Sequence, residues 1–166
     1  MKILPYAQQS IDKNDIKKVV QVLKSNFLTQ GPKVFEFEKA VKKYVNSKYA
    51  VAVNSATSAL HIACLALDLK KNDLVWTSTN SFVASSNCAL YCNAKIDFVD
   101  IDPKTFNIST DKLEAKLIKA KANKKIPKLL IVVHFAGNPC DMKKIYTLSK
   151  KYKFKIIEDA SHAIGS

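Results

Sequence analysis

Apolar residues recur along the chain in patterns typical of amphipathic helices and short buried strands. After an extended start at Ile3–Pro5, spacings of three and four residues predict a helix from Ile16 to Leu23, because such spacings place side chains on one helical face. Pro32 is well placed to open a second helix, since proline is favoured in the first helical turn. The apolar face of that helix runs from Val34 to Tyr44.

From residue 49 onward, short apolar runs that predict buried strands alternate with helical patterns. The predicted strands are Tyr49–Val53, Leu74–Trp76, Ile96–Val99, Leu129–Val133 and Phe154–Ile157. The predicted helices are Ala59–Leu67, Ser81–Tyr91, Asp111–Lys121 and Met142–Tyr152. Strands linked by helices form a parallel sheet with right-handed crossovers. The sequence therefore predicts a three-layer α/β/α fold with a mostly parallel, five-stranded sheet.

Turn residues other than glycine must supply most of the positive φ angles, because the chain has only 3 glycines. Asn46, Asn72 and Asn93 stand where helices end or turns form, and asparagine tolerates the left-handed conformation better than most residues. Lys153 stands at a similar helix-to-strand junction. A left-handed conformation there costs about 1 kcal/mol relative to glycine.

Composition favours a folded, soluble chain. Apolar residues make up 48% of the sequence, which argues against disorder. No uninterrupted apolar run reaches the roughly 18 residues that a membrane-spanning helix needs, and the first residues lack the apolar stretch of a signal peptide. We therefore expect a cytoplasmic protein without a membrane partner.

The net charge of +13 suggests a polyanion, but its make-up weakens that suggestion. All 27 basic residues are lysine, spread from Lys2 to Lys155, whereas specific nucleic-acid recognition relies on arginine and on clustered charge. We expect no specific nucleic-acid partner. Non-specific polyanion binding stays open as an alternative function.

Four cysteines raise the question of a metal site or a disulfide. They are Cys64, Cys88, Cys92 and Cys140. Cys88 and Cys92 are four residues apart on a predicted helix, and no second close pair completes a zinc site. Isolated cysteines in apolar runs are usually small core residues, so we predict no metal site.

Candidate chemistry lies directly after the strands, because ligands of open α/β sheets bind beyond the carboxyl ends of the strands. Neither glycine-rich phosphate fingerprint is present. The small and hydroxyl residues of Asn54–Ser58 precede a helix, where free amides could hold a phosphate. An ordinary helix cap would use the same residue types, so this segment alone leaves both interpretations open.

Asp159 follows Ile157 by two residues, at the carboxyl end of the last predicted strand, with His162 close behind it. A carboxylate there could pair with a protonated heterocyclic nitrogen, while the histidine donates to another ligand oxygen; a helix-capping Asp and a surface His are equally compatible. Phe82 could stack on a ring, although taken alone it is expected in the core. His61 and His134 are expected to be structural.

Taken in order, these motifs resemble the fold-type-I pyridoxal-phosphate enzymes, and more narrowly the DegT/DnrJ/EryC1/StrS family of nucleotide-sugar aminotransferases. The resemblance covers essentially the whole chain. The segments that carry it are Leu28–Pro32, Phe35–Glu38, Ser55–Ser58, Ser81–Ser85, Val133–Gly137 and Ile157–Ala163.

The resemblance implies pyridoxal 5′-phosphate as the cofactor and assigns roles to particular residues. Ala56 and Thr57 would hold the phosphate, with Ser55 beside them, and Phe82 would stack on the pyridine ring. The remaining implied contacts are Asp159 to the ring nitrogen, His162 to the ring 3-oxygen, and Thr29, Gln30 and Gly31 to the sugar nucleotide.

The resemblance also implies substrates and partners. Glutamate would donate the amino group, and the acceptor in the most similar branch is the C4 keto group of a UDP-linked 4-keto-6-deoxy-N-acetylhexosamine, in pseudaminic acid biosynthesis. Full-length members form homodimers.

The family's Schiff-base lysine is expected about twenty residues after Asp159, beyond Ser166. Residues 1–166 are therefore expected to be the N-terminal part of the cofactor-binding large domain, truncated before its last strands and without the small C-terminal domain, and to be inactive alone. In the family's sheet the strand at Tyr49–Val53 pairs with the last strand, so the resemblance implies that it lacks a hydrogen-bonded neighbour here. Two alternatives stay open: a sugar 3-dehydratase of the same family, in which histidine replaces that lysine, and a non-catalytic fragment that complements a separate C-terminal half.

Overall fold

The computed structural model describes residues 8–166, so the expected extended start at Ile3–Pro5 lies outside the described residues. The chain divides into two compact units, the first ending at Ala52 and the second beginning at Val53. Within the described residues, no helix combines the length and the apolar character that crossing a membrane requires.

The first unit contains two helices, α1 (Lys13–Leu23) and α2 (Pro32–Tyr44), and both predictions are confirmed. Asp12 caps α1: its carboxylate accepts a hydrogen bond from the Asp15 amide, and the Asp15 carboxylate accepts one from the Asp12 amide. This reciprocal capping box satisfies amides that the first helical turn leaves without partners. Pro32 is the first residue of α2, as predicted.

The second unit is a parallel sheet between helices. Its elements, in chain order, are α3 (Ala56–Ala66), β1 (Leu74–Ser78), α4 (Ala84–Tyr91), β2 (Lys95–Val99), α5 (Thr110–Ala122), β3 (Leu129–Val133), a 3₁₀ turn (Phe135–Gly137), α6 (Met142–Tyr152) and β4 (Lys155–Asp159). The strand order is β2-β1-β3-β4, and every neighbouring pair is parallel. The α/β prediction is confirmed.

The core of this unit lies on both faces of the sheet, because successive side chains of a strand point in opposite directions. Leu130 and Val132 of β3 pack in one apolar cluster with residues of α5 and α6. Leu129 and Ile131 pack in a second cluster with residues of α3 and α4. Helices therefore cover the sheet on both sides, which is the predicted three-layer arrangement.

The predicted buried strand at Tyr49–Val53 is wrong, although the expectation that this segment lacks a hydrogen-bonded neighbour in the sheet is confirmed for the described residues. This segment has no regular secondary structure, and Tyr49 and Val51 are 74% and 78% exposed. A strand exists only through its ladder of hydrogen bonds with neighbours, and none of the described sheet pairings includes these residues. The Ala52 amide donates instead to the Glu38 carboxylate, at 2.8 Å. The sheet accordingly has four strands in the part of the chain that is described.

The predicted left-handed backbone positions are confirmed, whereas two of the predicted helix starts are wrong by three residues. Asn46, Asn72 and Asn93 all have positive φ, and Lys153 ends α6 in the left-handed conformation, with φ 61°. In contrast, α3 begins three residues before the predicted Ala59 and α4 three residues after the predicted Ser81. The observed starts leave Ser55 as the cap of α3 and place Ser81 in the turn before α4.

Candidate active site

The carboxyl ends of the parallel strands form one edge of the sheet, where ligands of such folds bind. Asp159 is the last residue of β4 and lies opposite Val133, the last residue of β3. His134 continues this pairing, since its amide donates to the Asp159 carbonyl at 3.1 Å. The backbone of Asp159 is thus fixed at the end of the sheet.

Two serine hydroxyls contact the half-buried Asp159 carboxylate, and a third contacts one of these serines. Ser85 of α4 donates to Oδ2 at 2.8 Å, and Ser161 donates to Oδ1 at 2.6 Å. The Ser81 hydroxyl lies 2.7 Å from that of Ser85. The start of α4 and the end of β4, which are far apart in sequence, therefore meet at one carboxylate.

Phe82 lies beside this network, at the residue after Ser81. Its side chain is 73% exposed, so the expectation that it belongs to the core is wrong. An exposed aromatic ring in the turn before α4 is available to stack on a planar ligand.

The start of α3 presents backbone amides. Ser55 caps the helix and its hydroxyl accepts from the Ser58 amide at 3.2 Å. The amides of Ala56 and Thr57 are also in the first turn, where a helix supplies no carbonyl partner. Partly free amides and the positive end of the helix dipole are the features that bind a phosphate.

The topology places this helix start at the same edge as Asp159. α3 contacts both α4 and β4, and residues 67–73 link its last turn to the first residue of β1. An 11-residue helix is roughly 16 Å long and a 5-residue strand roughly 17 Å long. Because α3 ends near the amino ends of the strands, its first turn reaches back to their carboxyl ends.

His162 lies in the exposed stretch after β4, against the 3₁₀ turn. A Cβ atom on Gly137 would lie 2.6 Å from the His162 carbonyl oxygen, and Gly137 has φ +83°. The buried Asn107 holds this turn: its side chain accepts from the Phe135 amide and donates to the Asn138 carbonyl, both at 2.9 Å. The position of the His162 backbone therefore depends on a turn that only glycine fits.

His134 is structural, as expected. It is buried; its Nδ1 accepts from the Cys140 amide at 3.1 Å, and its Nε2 lies 3.0 Å from a Glu158 carboxylate oxygen. Because Nδ1 accepts, Nε2 carries the proton that is donated to Glu158. His61 packs edge-on against Tyr91, with ring centroids 5.3 Å apart.

The four cysteines are buried and free, which confirms their prediction as core residues. Burial raises the pKa of the Cys140 thiol to about 11, and a hydrogen bond with Cys88, together with burial, raises the pKa of Cys64. Both thiols therefore stay protonated near neutral pH. Among the described residues, no group of three or more histidine, cysteine or acidic side chains is arranged to hold a metal ion.

Thr29, Gln30 and Gly31 belong to the first unit, just before α2. Gln30 has φ 49°, and Gly31 caps α2 with extended backbone. Their predicted contact with a sugar nucleotide stays a prediction.

Curated relatives and solved structures resemble almost the whole chain. A UDP-4-amino-4,6-dideoxy-N-acetyl-beta-L-altrosamine transaminase of Campylobacter jejuni is 44% identical over 164 residues, which are 99% of this chain and 42% of the relative. The spore coat polysaccharide biosynthesis protein SpsC of Bacillus subtilis is 38% identical over 161 residues, 97% of this chain and 40% of the relative. The chain thus spans about two-fifths of the length of these relatives.

Solved aminotransferases have the same fold. Helicobacter pylori PseC, an aminotransferase involved in pseudoaminic acid biosynthesis, matches with a TM-score of 0.86 and 34% identity over 99% of this chain and 43% of its own. A putative sugar aminotransferase of Streptococcus pneumoniae in its PMP form matches with a TM-score of 0.85 and 28% identity over 98% of this chain and 43% of its own. The α/β fold is therefore that of the fold-type-I aminotransferases.

The sequence profile of the DegT/DnrJ/EryC1/StrS aminotransferase family matches residues 9–166. The match includes Asp159 and the helix start at Ser55, so both features of the carboxyl edge fall within it. The chain belongs to the DegT/DnrJ/EryC1/StrS aminotransferase family.

Proposed function

We propose that this chain forms the cofactor-binding part of a pyridoxal-phosphate-dependent aminotransferase that acts on nucleotide sugars. The observation that carries the proposal is the Asp159 carboxylate, held at the edge of the sheet by Ser85 and Ser161. The residues around it fit the cofactor: an acid suits the ring nitrogen, an exposed aromatic suits the ring face, and free helix amides suit the phosphate.

Each of these residues has a distinct task. The amides of Ala56 and Thr57, with the Ser55 hydroxyl, bind the phosphate. Phe82 covers one face of the ring, and His162 contacts its 3-oxygen. Asp159 favours the protonated ring nitrogen, because an adjacent negative charge stabilises the charged form. When bound, the cofactor supplies an electron sink for bond breaking at the amino-bearing carbon.

Two relatives support a substrate for this site. The Campylobacter jejuni transaminase and Helicobacter pylori PseC both carry names that place them among amino-sugar enzymes. We propose that glutamate is the amino donor and that the C4 keto group of a UDP-linked 4-keto-6-deoxy-N-acetylhexosamine is the acceptor. Residues Thr29–Gly31 would contact the sugar nucleotide, and the complete enzyme would act as a homodimer.

Residues 1–166 alone are proposed to bind the cofactor without completing turnover. Chemistry of this kind needs a lysine that carries the aldehyde and moves protons, and none of the 27 lysines follows Asp159. We expect no release of 2-oxoglutarate from glutamate beyond that caused by free pyridoxal phosphate at the same concentration. Release that is saturable in glutamate and proportional to protein would contradict this.

Pyridoxamine 5′-phosphate is the appropriate probe for binding. Pyridoxal phosphate would react through its aldehyde with surface lysines, of which this chain has many, whereas the amine form cannot. Binding can be measured by equilibrium dialysis, with the fluorescence of the probe reporting its concentration on each side of the membrane. We expect saturation at one molecule per chain, and much weaker binding of pyridoxamine, which lacks the phosphate.

The substitution Ala56→Pro tests the phosphate site. Proline is favoured at the first position of a helix, so α3 should still form, but the Ala56 amide is lost. Because hydrogen bonds to charged groups contribute about 1.5–3 kcal/mol, affinity for pyridoxamine phosphate should fall by roughly tenfold or more.

The matched control is Thr110→Pro, at the first position of α5, where Ser109 is the cap. It should leave affinity for pyridoxamine phosphate unchanged. Equal affinities for the two variants, or equal binding of pyridoxamine with and without its phosphate, would refute a phosphate site at α3.

A further inference from the structure

A row of hydroxyl groups connects the start of α4 to the end of β4. Ser81 lies three residues before α4 and Ser85 lies in its first turn, with their hydroxyl oxygens 2.7 Å from each other. The Ser85 oxygen lies 2.8 Å from Oδ2 of Asp159. Ser85 is fully buried, at 0% exposure, so solvent cannot replace these contacts.

The direction of these hydrogen bonds follows from the donors available. An ionised carboxylate only accepts, so Ser85 gives its proton to Asp159. Its oxygen can then accept the proton of Ser81. The Ser81 hydroxyl has a second acceptor, the Phe82 carbonyl, but at the longer distance of 3.2 Å. When Ser81 donates to Ser85, both hydroxyls point toward the carboxylate, and bonds aligned in this way polarise and strengthen one another.

Two anchors are needed because the terminal torsion of an aspartate side chain is broad. Ser161 holds Oδ1, through its hydroxyl at 2.6 Å and its amide at 3.3 Å. A carboxylate that is held at only one oxygen can still rotate about its Cβ–Cγ bond. The bond from Ser85 to the other oxygen fixes the plane of the carboxylate.

We propose that Ser85 is a positioning residue for the Asp159 carboxylate, and that Ser81 supports it. The same row fixes the turn before α4, where Phe82 lies, relative to the acid. That this carboxylate faces the ring nitrogen of the cofactor rests on the proposed function. That Ser85 fixes the plane of the carboxylate does not rest on it.

A crystal structure of the Ser85→Ala variant tests the fixing itself. We expect the Asp159 carboxylate to leave its single orientation or to occupy two. Ser86→Ala is the matched control, because Ser86 is the next residue of α4 and its hydroxyl donates to the Val83 carbonyl instead, at 2.9 Å. Asp159 should keep its orientation in that control. An unchanged, fully occupied orientation in Ser85→Ala would overturn the proposal.

Pyridoxamine phosphate bound to the protein tests the consequence. The absorbance of the probe reports the pKa of its ring nitrogen, which a well-placed carboxylate raises. In Ser85→Ala we expect this pKa to fall by about half a unit or more, and affinity to fall about threefold where the nitrogen is protonated. Ser86→Ala should change neither, and an analogue with carbon in place of the ring nitrogen should bind both variants alike.

The crystal structures and the binding measurements distinguish a failure of the proposed function from a failure of the positioning role of Ser85. If the unsubstituted chain does not bind pyridoxamine phosphate, the proposed function fails and the crystal structures alone decide the role of Ser85. If the probe binds and Ser85→Ala leaves both the orientation of the Asp159 carboxylate and the pKa of the ring nitrogen unchanged, Ser85 has no positioning role and the proposed function stands.

Discussion

Replacing Gly137 with alanine is expected to lower the free energy of unfolding by about 2–4 kcal/mol and to displace the backbone at His162. Gly137 has φ +83°, and an added Cβ would lie 2.6 Å from the His162 carbonyl oxygen. The obstacle is backbone, so a change of side-chain rotamer cannot remove it. Urea unfolding followed by circular dichroism measures the loss.

The control for Gly137→Ala is Ala136→Gly, in the same turn. Ala136 has φ 52°, so glycine there relieves backbone strain and the free energy of unfolding should stay equal or rise by up to about 1 kcal/mol. A loss of stability at Gly137 without a loss at Ala136 would show that the effect comes from the backbone conformation and close contact at Gly137. A turn that is sensitive to any substitution would lose stability in both variants. A loss below about 0.5 kcal/mol for Gly137→Ala would show that His162 moves aside freely.

Local patterns were sufficient to predict most of the helices and strands. The amphipathic spacing from Ile16 to Leu23 became α1, and the apolar run Leu129–Val133 became β3 with the same bounds. Lys153 took the left-handed conformation because a strand must start two residues later. In each case, the information that decides the structure lies within a few residues of the position concerned.

The prediction at Tyr49–Val53 failed because a strand depends on partners that are distant in sequence. An apolar run of this length is typical of a buried strand, but the pattern does not state which chain segment supplies the ladder. In the described chain the sheet ends at β2 and β4, and Val51 stays exposed. Periodicity alone cannot reveal this.

The candidate site was predicted in part. Asp159 was identified from its position at the end of a strand, and the start of α3 from its small and hydroxyl residues. Ser85 was not identified as a contact of the acid, because it lies 74 residues away from Asp159 and a serine in a helix has no distinctive pattern. One signal was available: Ser81 and Ser85 are four residues apart in the helix predicted for Ser81–Tyr91, and that spacing places two side chains on one helical face.

Replacing Asp159 with asparagine is expected to weaken binding of pyridoxamine phosphate by roughly 10- to 100-fold at a pH where its ring nitrogen is protonated. Asparagine keeps one oxygen that can accept from Ser85, and the Ser161 hydroxyl can turn to accept from the new amide group, so the side chain should keep its place beside both serines. What is lost is the negative charge beside a cation, a charge-assisted hydrogen bond that contributes about 1.5–3 kcal/mol. Equilibrium dialysis measures the change.

Glu158→Gln is the matched control, because it removes a negative charge one residue away. Neighbouring strand residues point to opposite faces, and the Glu158 side chain contacts His134 instead, at 3.0 Å. The glutamine oxygen can still accept that proton, so affinity for the probe should change less than about threefold. If both variants weakened binding equally, general electrostatics of the acidic strand end would explain the result. A loss confined to Asp159→Asn, and absent for the analogue without a ring nitrogen, requires the acid to face that nitrogen directly.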